Sequence, residues 1–252
     1  MKYICMLCAL LINFATTALD LSIVTMDQIK KQDCLNTIKV SDHIDGQHVS
    51  RIYLFRHGVT SWSFDDIVQG SSLDAEINLF SPQDKEDIKR LQKLNFDYLY
   101  TGSSLRSYST CELLQNDHSV LDGSWVFREQ NLGLFEGRGR SEVKADKEFR
   151  KMSVNPDYYI EGVELGRDVI NRMLFGIDAV AKDGETIGIC GSNCAMNWFL
   201  KWATNDYFSA YNITNLGIIP FDYDIDNKTI SFPFEKKVLT PAELLDLLKI
   251  QQ

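Results

Sequence analysis

The sequence predicts an α/β fold built on a mostly parallel sheet, and three observations carry that expectation. Short runs of β-formers alternate with helical segments that open on capping residues. Polar residues able to do chemistry stand just past the ends of those runs, where open α/β sheets bind ligands. The chain has 252 residues, 44% hydrophobic and 24% charged, enough for one sizeable globular domain.

The first clear run is Arg51-Ile52-Tyr53-Leu54-Phe55-Arg56-His57-Gly58. Its apolar centre reads as a short buried strand, and Gly58 lets the backbone turn, leaving Arg56 and His57 at the carboxyl end. A guanidinium beside a neutral imidazole suits a phosphate: the first grips two oxygens and the second offers a nucleophilic nitrogen. After a polar loop through Gln69-Gly70, Ser81-Pro82 pairs an N-cap with proline at the first helical position, predicting a helix over 81–94. Residues 96–100 read as a strand. Ser103 or Ser104 then caps a helix to Leu114, with Arg106 in its first turn beside another strand end.

The apolar run 125–127 leads into Arg128-Glu129-Gln130, where a carboxylate at a strand end could exchange protons with a leaving oxygen or a water. Over 163–181 apolar residues recur at helical spacing and predict a core-facing helix. A strand over 186–190 turns at Gly191-Ser192-Asn193 into a helix over 194–203. Segments 216–223 and 229–234 read as a hairpin, and Thr240-Pro241-Ala242-Glu243 as a capping box before a last helix.

A net charge of −9 and a pI near 5.0 exclude a nucleic-acid partner, which needs clustered Lys and Arg. Lys2, the apolar run 3–12 and the small residues to Ala18 have the parts of a secretory signal, so residues 1–18 are expected to be cleaved and the protein secreted or periplasmic. That apolar run is short for a bilayer span, so no membrane association is expected after cleavage. Residues 19–50 lack clear periodicity and are expected to form an amino-terminal extension, with residues 51–252 as the domain proper. Of six cysteines, Cys34, Cys111, Cys190 and Cys194 lie beyond the signal and are expected to be buried free thiols. No zinc spacing occurs, and the calcium-loop-like Asp222, Asp224 and Asp226 are followed by Pro233 where a Glu is required, so neither metal nor cofactor is expected.

Leu54-Phe55-Arg56-His57-Gly58-Val59-Thr60-Ser61-Trp62 with Gln69-Gly70, then Leu105-Arg106 and Thr110, Phe127-Arg128-Glu129, Phe135-Glu136-Gly137, Gly162-Val163-Glu164 and Arg172 follow one another in a familiar order. Over roughly residues 51 to 234 the chain resembles the phosphoglycerate mutase-like branch of the histidine phosphatase superfamily. The acid phosphatase and phytase branch fits less well, because the Arg and Pro it carries after Arg-His-Gly are absent. The resemblance implies a three-layer α/β/α sandwich, His57 as the phosphorylated nucleophile, Arg56 and Arg106 as phosphate clamps, and Glu129 as general acid and base. The substrate implied is a small phosphorylated compound or a phosphoprotein.

The resemblance also marks departures. Ser192, followed by Asn193, stands where the family has a second histidine, and no histidine occurs after His118. Ser63 replaces the usual Asn, and Ile67 an Arg that often precedes Gln-Gly. Ser63, Ser192 and Asn193 are therefore expected to bind phosphate in a weakened pocket. Two functions follow: an impaired phosphomonoester hydrolase, or an inactive pseudophosphatase that binds a phosphorylated ligand or protein. A nucleophile elbow at Ser192 is rejected because no later histidine exists, and a cysteine phosphatase because no arginine lies six residues past any candidate cysteine.

Overall fold

The computed structural model describes residues 21, 23–72, 74–78, 81–115 and 120–250. The expected signal segment, residues 1–18, lies outside them. Seven strands form one sheet: β1 (Lys39–Val40), β2 (Val49–Arg56), β3 (Tyr98–Gly102), β4 (Val120–Ser124), β5 (Thr186–Gly191), β6 (Ile218–Asp224) and β7 (Thr229–Ser231). Their order is β1-β7-β6-β2-β5-β3-β4. The neighbours β2-β5, β5-β3, β3-β4 and β1-β7 run parallel, whereas β6 is antiparallel to β2 and β7.

Period-2 alternation along β2 explains the two helical layers. Ile52 and Leu54 join the larger core cluster with Val169, Ile170, Met173 and Phe199, from the helices Gly166–Val180 and Asn193–Thr204. Tyr53 and Phe55 face the other way, against Ile88, Leu91, Cys111, Leu114 and Leu244 of the helices Pro82–Gln92, Leu105–Leu114 and Pro241–Ile250. Buried on both faces, the strand reads as a nearly continuous apolar run. The resulting three-layer sandwich is the architecture expected from the sequence.

Helix Gly166–Val180 is covered on its outer side by residues that carry no periodic signal. Leu21, Val24, Ile29, Cys34 and Ile38 are buried in the same cluster, and Asn171 accepts from the Leu35 N–H and donates to the Ile29 carbonyl, each at 3.3 Å. Each such fully buried aliphatic side chain contributes about 1.5–3 kcal/mol. His43 and His48 are exposed, and His48 Nδ1 meets Asp226 at 3.0 Å.

Two local expectations change. Residues 125–127 form a 3-10 turn capped by Ser124, so β4 ends earlier and a turn separates it from Glu129. Gly58 does not occupy the left-handed region, and a Cβ there would only touch Ile77 at 3.6 Å. Hydrogen bonds shape that turn instead: the Gly58 N–H donates to Thr110 Oγ1 at 2.9 Å, and Asn215 Nδ2 donates to the His57 and Gly58 carbonyls at 3.0 Å. Gly70 does need to be glycine, with φ at +62° and Glu136 packed where a Cβ would sit.

Candidate active site

The register sets Arg56 opposite Gly191 and Thr101 opposite Cys190, so β2, β5 and β3 end together at one sheet edge. A cavity of 170 Å³ opens there, walled by Arg56, His57, Gly70, Arg106, Glu129, Arg140 and Asn193 among others. Arg56, His57, Arg106, Glu129 and Asn193, chosen from sequence, are thereby brought together.

His57 is 3% exposed, and its Nδ1 lies 2.7 Å from the Gly58 carbonyl oxygen. A carbonyl only accepts, so the ring proton resides on Nδ1 and the lone pair on Nε2. Burial, then the guanidinium groups of Arg106 and Arg56, hold the imidazole well below its ordinary pKa of 6.5 against a smaller opposing effect of the Gly58 carbonyl. The ring is therefore a neutral base.

Arg56 and Arg106 are each anchored at one edge. Arg56 donates from Nη1 to the Ile213 carbonyl at 2.8 Å, while its buried Nε has no acceptor among the described residues. Burial, then neighbouring Arg140, pushes its pKa down to about 10. Arg106, 1% exposed, donates from Nη2 to the Gly70 carbonyl at 2.7 Å and pairs with Asp74 at 3.3 Å. Asp74 also accepts the Leu105 backbone N–H and so holds the helix start in place.

Glu129 sits across the cavity with its carboxylate on the N-terminus of helix Asn193–Thr204. Oε1 accepts from Ala195 N at 2.8 Å and Gln130 N at 2.9 Å, and Oε2 from Cys194 N at 3.0 Å. It thereby satisfies donors that the helix itself leaves open. The backbone beneath it is tied down by Arg172, which is fully buried. Arg172 Nη1 donates to the Val126 and Arg128 carbonyls at 2.7 and 2.8 Å, Nη2 reaches the Glu129 carbonyl at 3.2 Å, and Nε meets Glu164 at 2.9 Å. Burial opposes ionisation of Glu164, but Arg172 outweighs it and holds the carboxyl below its ordinary pKa.

The two serines stand apart from the cavity wall. Ser63 spends its hydroxyl on Thr60 Oγ1 at 2.8 Å. Ser192 is 1% exposed, and its Oγ has no hydrogen-bond partner among the described residues. In their place the structure adds Arg140 and Lys144, which the sequence reading missed. A bridge between Ile67 and Gly139, with the Arg140 N–H on the Asp66 carbonyl at 2.7 Å, brings Arg140 beside Ile67, where the resemblance led us to expect an arginine. The sequence signal was Arg138-Gly139-Arg140, two cations in an acidic chain, but nothing local tells that they face the loop at 67.

Cys34, Cys111 and Cys190 are buried and Cys194 half-buried, and all four are free thiols. No cluster suited to a metal ion occurs among the described residues. Four positive side chains facing one carboxylate and a neutral imidazole nitrogen can receive a phosphate and stabilise charge as it moves during transfer.

A family model described as the histidine phosphatase superfamily, branch 1, matches residues 52–233. The chain belongs to that superfamily. YhfR from Bacillus stearothermophilus has a similar structure, with TM-score 0.63 and 21% identity, the match covering 76% of this chain and 99% of that one. A mycobacterial glucosyl-3-phosphoglycerate phosphatase in complex with VO3 gives TM-score 0.61 at 17% identity, covering 73% and 97%. A mutant phosphoserine phosphatase from Entamoeba histolytica in complex with phosphoserine gives 0.59 at 17%, covering 73% and 95%. No curated protein sequence matches the chain.

Proposed function

We propose that the chain is an exported phosphomonoester hydrolase working through a phosphohistidine on His57. The observation that carries this reading is the 2.7 Å bond from His57 Nδ1 to the Gly58 carbonyl, which keeps the Nε2 lone pair available between Arg56 and Arg106. Superfamily membership and the phosphatases among similar structures support it.

In this mechanism Arg56, Arg106 and Arg140 receive the phosphate, and Nε2 attacks phosphorus as the ester oxygen departs. Glu129 gives that oxygen a proton, then takes one from the water that hydrolyses the phosphohistidine. To do so its carboxylate must swing off the Cys194 and Ala195 amides. The absence of a histidine at Ser192 removes one donor to the transferring group, which typically lowers rate about a hundredfold to a thousandfold.

Phosphate release from 4-nitrophenyl phosphate tests the proposal. The protein turns it over, and His57→Ala lowers the rate at least about a hundredfold. Equal rates in the two proteins would refute it. Export is tested by the mature amino terminus, expected at Leu19.

One second reading has an observation of its own. The unpartnered Ser192 hydroxyl and the Glu129 carboxylate already occupied as a helix cap also suit a pseudophosphatase that binds a phosphorylated ligand or phosphoprotein without turnover. Phosphate binding without release in any assay would favour it.

A further inference from the structure

Next to the phosphate cavity lies a larger hollow of 460 Å³, and the two share Arg56, Arg140, Lys144, Phe149, Asn193 and Cys194 as common wall. The hollow therefore adjoins the space in which a phosphate held at His57 would sit. Its volume falls within the range of about 300–1,000 Å³ that accommodates drug-sized ligands and exceeds what a three-carbon acid fills.

The walls have a definite chemistry. Phe149, Trp198 and Tyr211 supply aromatic faces, and these are held still. Trp198 Nε1 donates to Gln130 Oε1 at 3.0 Å, the Tyr211 N–H donates to Asn197 Oδ1 at 2.9 Å, and Phe149 packs edge-on against Phe135 at 5.2 Å. Arg140, Lys144 and Arg150 ring the same space, yet no acidic residue among the described residues lines it. Lys144 and Arg150 are exposed and pair with no carboxylate among the described residues, although other surface cations such as Arg138 and Lys151 do. Arg140 is already paired with Asp66 at 2.9 Å, which leaves Lys144 and Arg150 as the cations free to meet a ligand. In a chain of net charge −9, such a concave patch over aromatic walls is suited to an anion attached to a flat apolar body.

We propose that this hollow is a leaving-group subsite, selecting a phosphomonoester whose alcohol joins an aromatic body to a second anionic group held by Lys144 and Arg150. The proposal rests on the reading of the adjoining cavity as the phosphate site. A carboxylate or a second phosphate would satisfy the same cations.

Binding to the full-length His57→Ala protein, measured by calorimetry, tests this without requiring turnover. The probes are 2-naphthyl phosphate, its 6-carboxy derivative and naphthalene-2,6-diyl bisphosphate. At least one doubly anionic probe binds about fivefold or more tightly than 2-naphthyl phosphate, and adding Arg150→Ala shrinks that ratio towards one. The carboxylate and bisphosphate arms identify the preferred second anion. Equal affinity for all three probes would overturn the proposal, as would a ratio unmoved by Arg150→Ala or tighter binding of a phosphoserine peptide. Selective binding by a protein whose wild type hydrolyses nothing would retain the subsite and refute the hydrolase. Turnover without selectivity would do the reverse.

Discussion

Glu129 Oε1 accepts the backbone N–H of Ala195 at 2.8 Å, which makes the residue expected to shuttle protons a cap on the helix beside it. The Cys194 and Gln130 amides complete the set. Glu129→Ala exposes those three donors and is expected to lower stability by about 1–2 kcal/mol, read from urea denaturation. An unchanged midpoint would show that the cap contributes nothing.

Arg172 and Glu164 form a buried pair, 0% and 7% exposed, beneath the loop that carries Glu129. Removing Arg172 leaves the buried Glu164 carboxylate with only the more distant Arg128 at 3.7 Å and the Asn131 N–H at 3.1 Å, so Arg172→Met is expected to cost about 3–5 kcal/mol. Adding Glu164→Gln to that variant should recover part of the loss. Denaturation of the two single variants and the double variant measures the coupling, and strict additivity would contradict it.

The depressed pKa of His57 has consequences for both activity and stability. His57 becomes protonated only at some pH well below its ordinary 6.5, so any acid limb in kcat/KM due to His57 falls below that pH, and a limb at 7 or above would contradict the geometry. In the unfolded chain the residue protonates near its ordinary value of about 6.5, whereas the folded protein resists the proton. The stability contribution of neutral His57 is thus fully present above that value and is lost as pH falls towards the folded pKa. His57→Gln should flatten this part of the stability profile.

Ser192 hides a hydroxyl without a hydrogen-bond partner among the described residues. Its loss in Ser192→Ala is expected to change stability by less than about 0.5 kcal/mol or to raise it. Ser192→His should increase phosphate release by returning a donor to the turn before the helix. A folded Ser192→His protein of equal or lower activity would count against equating this turn with the family's second-histidine turn.

The parts legible in the sequence are those governed by neighbours along the chain. Ile52, Tyr53, Leu54 and Phe55 declare a strand buried on both faces, and Ser81, Ser104 and Thr240 mark helix starts that the structure caps as expected. Arg140 escaped because a bridge from Gly139 to Ile67, not local pattern, delivers it to the cavity. The position of Glu129 was readable, whereas its engagement by amides 65 and 66 residues away was not. Ser63 shows the opposite limit: its place in the motif was clear, but its hydroxyl turns to Thr60. Residues 21–38 lack periodicity because their few apolar side chains fill gaps over a helix already packed on its other side.

The central claim is that Nε2 of His57 takes the phosphoryl group. Rapid-quench mass spectrometry at alkaline pH, after mixing the protein with 4-nitrophenyl phosphate, tests it most directly, since phosphohistidine survives alkali and is lost in acid. The account expects a phosphoryl group on the peptide containing His57, labile to acid and absent from His57→Ala. Turnover with no phosphoryl group there, or with one on another residue, would contradict it.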